Sequence, residues 1–523
     1  MSELYQSYHL KEKNAAIDLY AGKVKMKNLT AATQFFTTDW VVRYMVENSL
    51  GRVWLEGHPE SHLRREMPYY LDLPKEAPKT PRAPMEPRDL KILDPCMGGG
   101  HILVYAFELL LKIYSECGVS PKRAASLILQ DNLYGLDIDE RSRELTAFAL
   151  LMKARSCDPD IFEKGVTLHF AAIHHSRKID KEALHYASGG NEALYDDLQK
   201  LAAAFYYGDQ FGSILNAPKV DLKALKSRFF VIRGEQYPDN LFHMEAQRKA
   251  LQELWPLVCQ AEIMGQKYAC VVTNPPYLNH MDKPLRNYVD KNFPDYNNDL
   301  FAVFMVHDFD FCKEDGYCAF MTPFVWMFIK SYESLRRFLI QEKSVSSLIQ
   351  MEYSAFEEAT VPLCSFVLQN RKEIYPGVYL RLTDYKGGME EQKKRVLYAS
   401  LHPDSKDRFE ASLKDFGEIP GMPFAYWANR NVGRAFREGA PLGKVAQISN
   451  GLFTCNNQRF LRFWYEVEPE EIDFWCEDES DCRMSGKRWF PYNKGGAFRK
   501  WYGNQSYVVD FADFGRDVCA YRV

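Results

Sequence analysis

Apolar residues in this chain gather into short unbroken runs, separated by longer stretches in which they recur at helical spacing. Runs of that kind are what strands covered on both faces require, because neither face meets water. They occur at 92–94, 133–137, 269–273 and 361–366, and again at 316–323, where a glycine opens the run and a proline ends it. Residues 166–170 are a candidate third strand of the series. Helical patterning follows the first run as far as about Tyr114. It follows the second over 140–154, where acids occupy the first turn as a helix N-terminus favours. Another helix begins over 299–304, with Asn297 and Asn298 before it as cap and turn residues. Strands alternating with helices predict an α/β fold built on a Rossmann-like, doubly wound sheet.

The same pattern divides the chain. Residues 1–30 read as a helical lead-in. Five prolines between Pro74 and Pro87 mark an extended surface connection. About 180 positions separate Asp94 from Asn274, long for one sheet crossover, so a polar helical insertion is expected over about 156–266. After about residue 435 the spacing changes, which places the main domain at 31–435 and a further unit at 436–523.

Composition narrows the setting. With 523 residues, 46 % of them apolar, the chain can bury several full cores. No run reaches the length of a membrane span and no signal-type start is present, so a cytoplasmic protein without membrane contact is expected. The twelve cysteines never form a Cys-x-x-Cys pair and the twelve histidines lack ligand spacing. Neither a metal site nor a disulfide framework is therefore expected. His169, His174 and His175 read as surface or internally satisfied residues. The net charge of −4 does not mark a nucleic-acid binder. Local patterning does more: nine acids lie between Glu466 and Asp481. They are followed by an acid-free stretch from Arg483 to Tyr502, where Arg483, Lys487, Arg488, Lys494, Arg499 and Lys500 interleave with aromatics. Cations on phosphates with aromatics to stack suit DNA; a solvated basic face is the other reading.

The chemistry lies at three strand ends. The 269–273 run ends in Asn274-Pro275-Pro276-Tyr277. The exocyclic amine of a base is a poor nucleophile, because its lone pair is delocalised into the ring. An amide oxygen from Asn274 and the carbonyl of Pro275 each accept one N–H and favour a pyramidal nitrogen. Pro275 and Pro276 hold the loop stiff, and Tyr277 offers a face for an extruded base. Asp94 ends the 92–94 strand before a turn containing Gly98, Gly99 and Gly100, where the backbone can approach a ligand closely. Its spacing matches neither Gly-x-Gly-x-x-Gly nor a Walker loop. Asp94 is placed to take an ammonium, Asp137 to take ribose hydroxyls, and Ile138 to lie against a purine. Asp139 is assigned instead to capping the next helix. In this order the three stations describe S-adenosyl-L-methionine. A third contact, with the cofactor's base, lies either by residues 166–170 or within 209–213.

These residues together resemble an amino-methylating DNA methyltransferase of the gamma arrangement, and more closely the PglX-like adenine-specific methyltransferases of BREX phage-defence systems. The likeness extends over 32–55, 92–110, 132–155, 271–279, 353–370, 448–464 and 489–504. It implies that Phe36 and Thr37 contact the cofactor, with Thr38 where the family has proline and Gly99 where it often has serine. It implies methyl transfer to adenine N6 in double-stranded DNA after base flipping, with other phage-defence proteins as candidate partners. A second aromatic facing the base is implied at Phe356 or Phe366. Residues 436–523 resemble the start of a target-recognition domain that is incomplete here, and the amino-terminal region is shorter than the family's. A catalytically inactive binding remnant is the alternative. Protein-glutamine methyltransferases share the tetrapeptide but lack such a trailing unit. A fused nuclease would need a carboxylate–lysine cluster that residues 1–30 do not supply.

Overall fold

The structure, a computed structural model, describes residues 37–74, 82–235, 241–353, 362–372, 375–448 and 451–521. The lead-in at 1–30, Phe36 and Phe356 lie outside the described residues. The chain divides into two compact units, Met1–Gly439 and Ala440–Val523.

The first unit is built on a nine-stranded sheet. Its strands are β1 (Ile92–Asp94), β2 (Leu133–Asp137), β3 (His169–Ala172), β4 (Tyr268–Thr273), β5 (Cys312–Pro323), β6 (Ser344–Gln350), β7 (Leu363–Gln369), β8 (Gly377–Arg381) and β9 (Arg408–Ala411). They lie in the order β3-β2-β1-β4-β5-β7-β6-β8-β9. The five from β3 to β5 are parallel, whereas β7 runs antiparallel to both β5 and β6. The chain leaves β1 outward through β2 and β3, then returns to β4 on the other side of β1. That reversal opens a crevice at the carboxyl ends of β1 and β4, where open parallel sheets bind ligands.

Unbroken apolar runs become strands here because both faces are covered. Every residue of β4, β6 and β7 is buried. Successive side chains enter different cores. Ile92, Tyr317, Ala319 and Met321 pack into one, and Leu93, Cys318 and Phe320 into the other. The helix Asp39–Val46 joins the first core through Trp40, Val41, Tyr44, Met45 and Val46. Tyr44 Oη lies 2.8 Å from Ser347 Oγ, which ties that helix to the sheet. The buried Arg52 beyond it is satisfied by the Leu71 carbonyl at 2.6 Å and by Asn48 Oδ1 at 3.1 Å.

Several expectations shift. The third strand begins at His169 rather than 166, because Gly165 (φ 58°) closes a short turn and residues 166–168 carry the chain back to the sheet edge. Within 156–266, β3 is the strand expected there, and the other regular elements among the described residues are helices. The helix Leu300–His307 is capped by Asp299, whose carboxylate accepts from Phe301 N, not by Asn297 or Asn298. A carboxylate complements the N-terminal dipole. The two asparagines instead donate to Asp290 Oδ1 and to the Ser331 carbonyl. Asp139 caps the helix Glu140–Cys157 as expected, accepting from Arg141 N. Phe366 is fully buried and packs against Phe320 and Trp326, so it faces the core.

The second unit contains a small antiparallel sheet of β10 (Leu461–Phe463), β11 (Trp489–Tyr492) and β12 (Tyr507–Asp510), in the order β10-β12-β11. Trp489 and Phe490 are buried in it, so part of the aromatic stretch is core. Phe498, Trp501 and Tyr502 are exposed. No helix of the described residues is long and apolar enough to cross a membrane.

Candidate active site

The turn after β1 is shaped by two left-handed glycines. Gly98 (φ 49°) donates its N–H to Asp137 Oδ2 at 2.9 Å, and its carbonyl accepts from Thr146 Oγ1 at 3.0 Å. Gly100 (φ 78°) precedes the helix His101–Glu116. A Cβ there would lie 2.8 Å from Thr146 Oγ1, whereas one on Gly98 would meet nothing within 4 Å. Gly100 thus serves close packing, and Gly98 faces open space in the cleft.

Asp94 is buried and accepts from Thr273 Oγ1 at 2.9 Å and from Cys96 N at 3.1 Å. Thr273 is the last residue of β4, so this bond ties the glycine turn to the loop that opens with Asn274. Burial pushes the Asp94 carboxyl up to about 8 despite those bonds. Asp137 accepts from Gly98 N and Asp139 N, and burial raises it to about 6.

These elements line one cleft of about 1020 Å³, part of it open to solvent. Thr37, Asp94, Gly98, Asp137, Ile138, Asn274 and Pro276 all contribute to its wall. Residues 94 to 98 and 137 to 138 therefore share a single space with the first residue of the tetrapeptide. Gly100, Pro275 and Tyr277 stand outside that lining. Pro275 is buried. The Asn274 amide donates through Nδ2 to Thr37 Oγ1 at 3.2 Å, and its Oδ1 accepts from the Tyr277 hydroxyl at 2.7 Å. The Tyr277 ring meets Phe301 edge to face, with centroids 6.3 Å apart.

The sequence leaves the third contact open, and the structure brings only one of its two candidates to the cleft. Gln210, Phe211, Gly212 and Ser213 line it, and Ser213 Oγ donates to the Pro95 carbonyl at 2.8 Å. Asp209, the acid of that segment, is instead held by Arg177 through bonds of 2.9 and 2.6 Å. The one sequence signal for this segment is its Gly-Ser pair after an acid, which is too common to stand alone.

Residues 131–356 match the family model of the Eco57I restriction-modification methylase. The chain is 35 % identical to the adenine-specific methyltransferase BrxX of Escherichia coli O9:H4 (strain HS), over 98 % of this chain and 44 % of that protein. It is 33 % identical to the adenine-specific methyltransferase PglX of Lacticaseibacillus casei (strain Zhang), with the same two coverages. The chain thus spans less than half the length of these relatives. A type I restriction-modification methyltransferase subunit from Streptococcus thermophilus overlays at 13 % identity with a TM-score of 0.38, covering 75 % of this chain and 58 % of that one, too loosely to bear on function. Over 98 % of its own length the chain is thus similar to the adenine-specific methyltransferases BrxX and PglX.

Proposed function

We propose that this chain transfers a methyl group from S-adenosyl-L-methionine to the N6 amine of adenine in DNA, as the modification enzyme of a phage-defence system. The observation that carries the reading is that Asn274 shares one cleft with Asp94, Gly98 and Asp137. The wall fits the cofactor. Asp94 suits the ammonium, the open face of Gly98 admits a close approach, Asp137 suits the ribose and Ile138 the purine.

When bound, the cofactor supplies a sulfonium-activated methyl group, and the protein's work is positioning. Asn274 Oδ1 and the Pro275 carbonyl accept the two hydrogens of the target amine and turn its lone pair towards the methyl carbon. Thr37 fixes which end of the Asn274 amide faces the substrate. A cofactor held there would give its methyl carbon to the amine nitrogen and leave as the thioether, and the amine's surplus proton would go to water. A base inside a duplex cannot reach this loop, so the target must leave the stack. In the second unit, Lys494, Arg499 and Lys500 stand in sequence beside the exposed Phe498, Trp501 and Tyr502, a composition suited to the DNA backbone.

The test measures cofactor binding by calorimetry and N6-methyladenine in DNA by nucleoside mass spectrometry on one preparation. Wild type should do both. Asn274→Ala should bind the cofactor within about threefold of wild type and lose at least about a hundredfold in transfer. Binding without transfer by the wild type would instead mark a non-catalytic binding protein.

A further inference from the structure

The turn that follows β5 stands on the same rim as Asn274. Phe320 of β5 pairs with Thr273, the last residue of β4, and β5 then runs on to Pro323. Its turn, residues 324–332, therefore begins beyond the level of Asn274. A chain of rings ties it to the tetrapeptide: Tyr277 meets Phe301 edge to face, and Phe301 stacks on Tyr332 with centroids 5.6 Å apart.

This turn is held rigidly from behind. The N–H groups of Phe328 and Ile329 both donate to the Val325 carbonyl, at 3.2 and 3.0 Å. The buried Arg336 donates to the carbonyls of Trp326 and Ile329 at 2.7 Å each. Asn298 Nδ2 holds the Ser331 carbonyl at 2.6 Å. Trp326, Met327 and Tyr332 are buried beneath. Yet the tip is Ile329, 49 % exposed, with the exposed Lys330 after it. Turn tips are ordinarily polar. An apolar tip on a pinned backbone loses little further freedom when it meets a partner. Beside it the Phe328 ring packs on Trp427 at 5.7 Å, and the Arg381 guanidinium lies 4.8 Å over the Trp427 ring. Apolar surface edged by cations complements a stack of bases between phosphates.

An adenine that leaves a duplex opens a gap in that stack, and an apolar side chain entering the gap offsets part of the lost stacking. We infer that Ile329 is that side chain, a wedge that enters the duplex where the target base departs. The inference rests on the function proposed above and adds the residue that holds the base out.

The test compares wild type, Ile329→Ser and Ile329→Met on native genomic DNA that carries no N6-methyladenine, with cofactor binding followed by calorimetry. A substitution at an exposed position should leave the fold intact, so both variants should bind the cofactor as wild type does. Ile329→Ser should fall at least about tenfold in kcat on saturating duplex. Ile329→Met keeps an apolar side chain of similar volume and should stay within about threefold. Wild-type turnover by Ile329→Ser, a loss confined to KM, or an equal loss in Ile329→Met overturns the assignment. Impaired cofactor binding by Ile329→Ser also overturns it, since the turn would then act through the cleft. A wild type that binds the cofactor yet methylates no adenine overturns instead the function on which the wedge rests.

Discussion

The hydroxyl of Tyr277 lies 2.7 Å from Asn274 Oδ1 and 3.1 Å from the Met321 carbonyl, so one proton serves two acceptors. Burial holds this phenol well above its ordinary range, and it remains a donor at any working pH. For a target amine to use Oδ1, the hydroxyl need only turn towards Met321, a rotation about one C–O bond.

Tyr277→Phe keeps the ring and removes that competing donor. Its kcat/KM for DNA methylation should stay within about tenfold of wild type. If the ring carries the extruded base as proposed, Tyr277→Ala should lose more, on the scale of ~1–3 kcal/mol per stacked base. Steady-state kinetics of both variants check this; a Phe variant as impaired as the Ala variant would show that the hydroxyl, not the ring, matters.

On the proposed reading, Asp94 would link cofactor binding to protons. Its carboxyl is held at about 8 in the folded protein against an ordinary 3.8. The folded state therefore keeps a proton that the unfolded chain releases. Stability from this group is complete below about pH 4, falls as pH rises towards about 8, and then levels off. Between pH 6 and 9 the melting temperature of wild type should fall more than that of Asp94→Asn. An ammonium bound at Asp94 favours the ionised form, so cofactor binding at pH 7 should release a proton. Calorimetry in buffers of different ionisation enthalpy measures that release; none, or uptake, would remove Asp94 from the ammonium site.

Gly100→Ala meets both a left-handed backbone and Thr146 Oγ1 at 2.8 Å. A cost of about 2 kcal/mol or more is expected, read as a melting point lower by several degrees. Gly98→Ala meets open space and should melt closer to wild type while weakening cofactor binding. Equal melting points for the two would contradict the packing role of Gly100.

Arg499→Ala with Lys500→Ala should weaken DNA binding uniformly across sequences. It should also lower the slope of log affinity against log salt by about 0.9 for each phosphate left without its cation. An unchanged slope would mean that these cations face solvent only.

Much of the site is legible one residue at a time, because its parts are local. An apolar run before Asp94 and a glycine cluster after it define a strand and a tight turn. Two prolines after Asn274 define a stiff loop. The cap at Asp299 is misplaced by one or two residues in the sequence reading, since Asn297, Asn298 and Asp299 are all competent caps and only their tertiary partners separate them. The aromatics of 483–502 cannot be sorted from composition either, because burial in the small sheet claims Trp489 and Phe490 and leaves Trp501 exposed.

By itself the sequence determined the strand ends and the residue types they carry, because strand and turn propensities act over a few neighbouring residues. The tertiary structure alone decided that Thr273 bonds to Asp94, that Thr37 holds the Asn274 amide, and that Gln210 rather than Asp209 borders the cleft. Those pairings join residues far apart in the chain. Sheet order and core packing set them, and neither leaves a mark in the residues on either side.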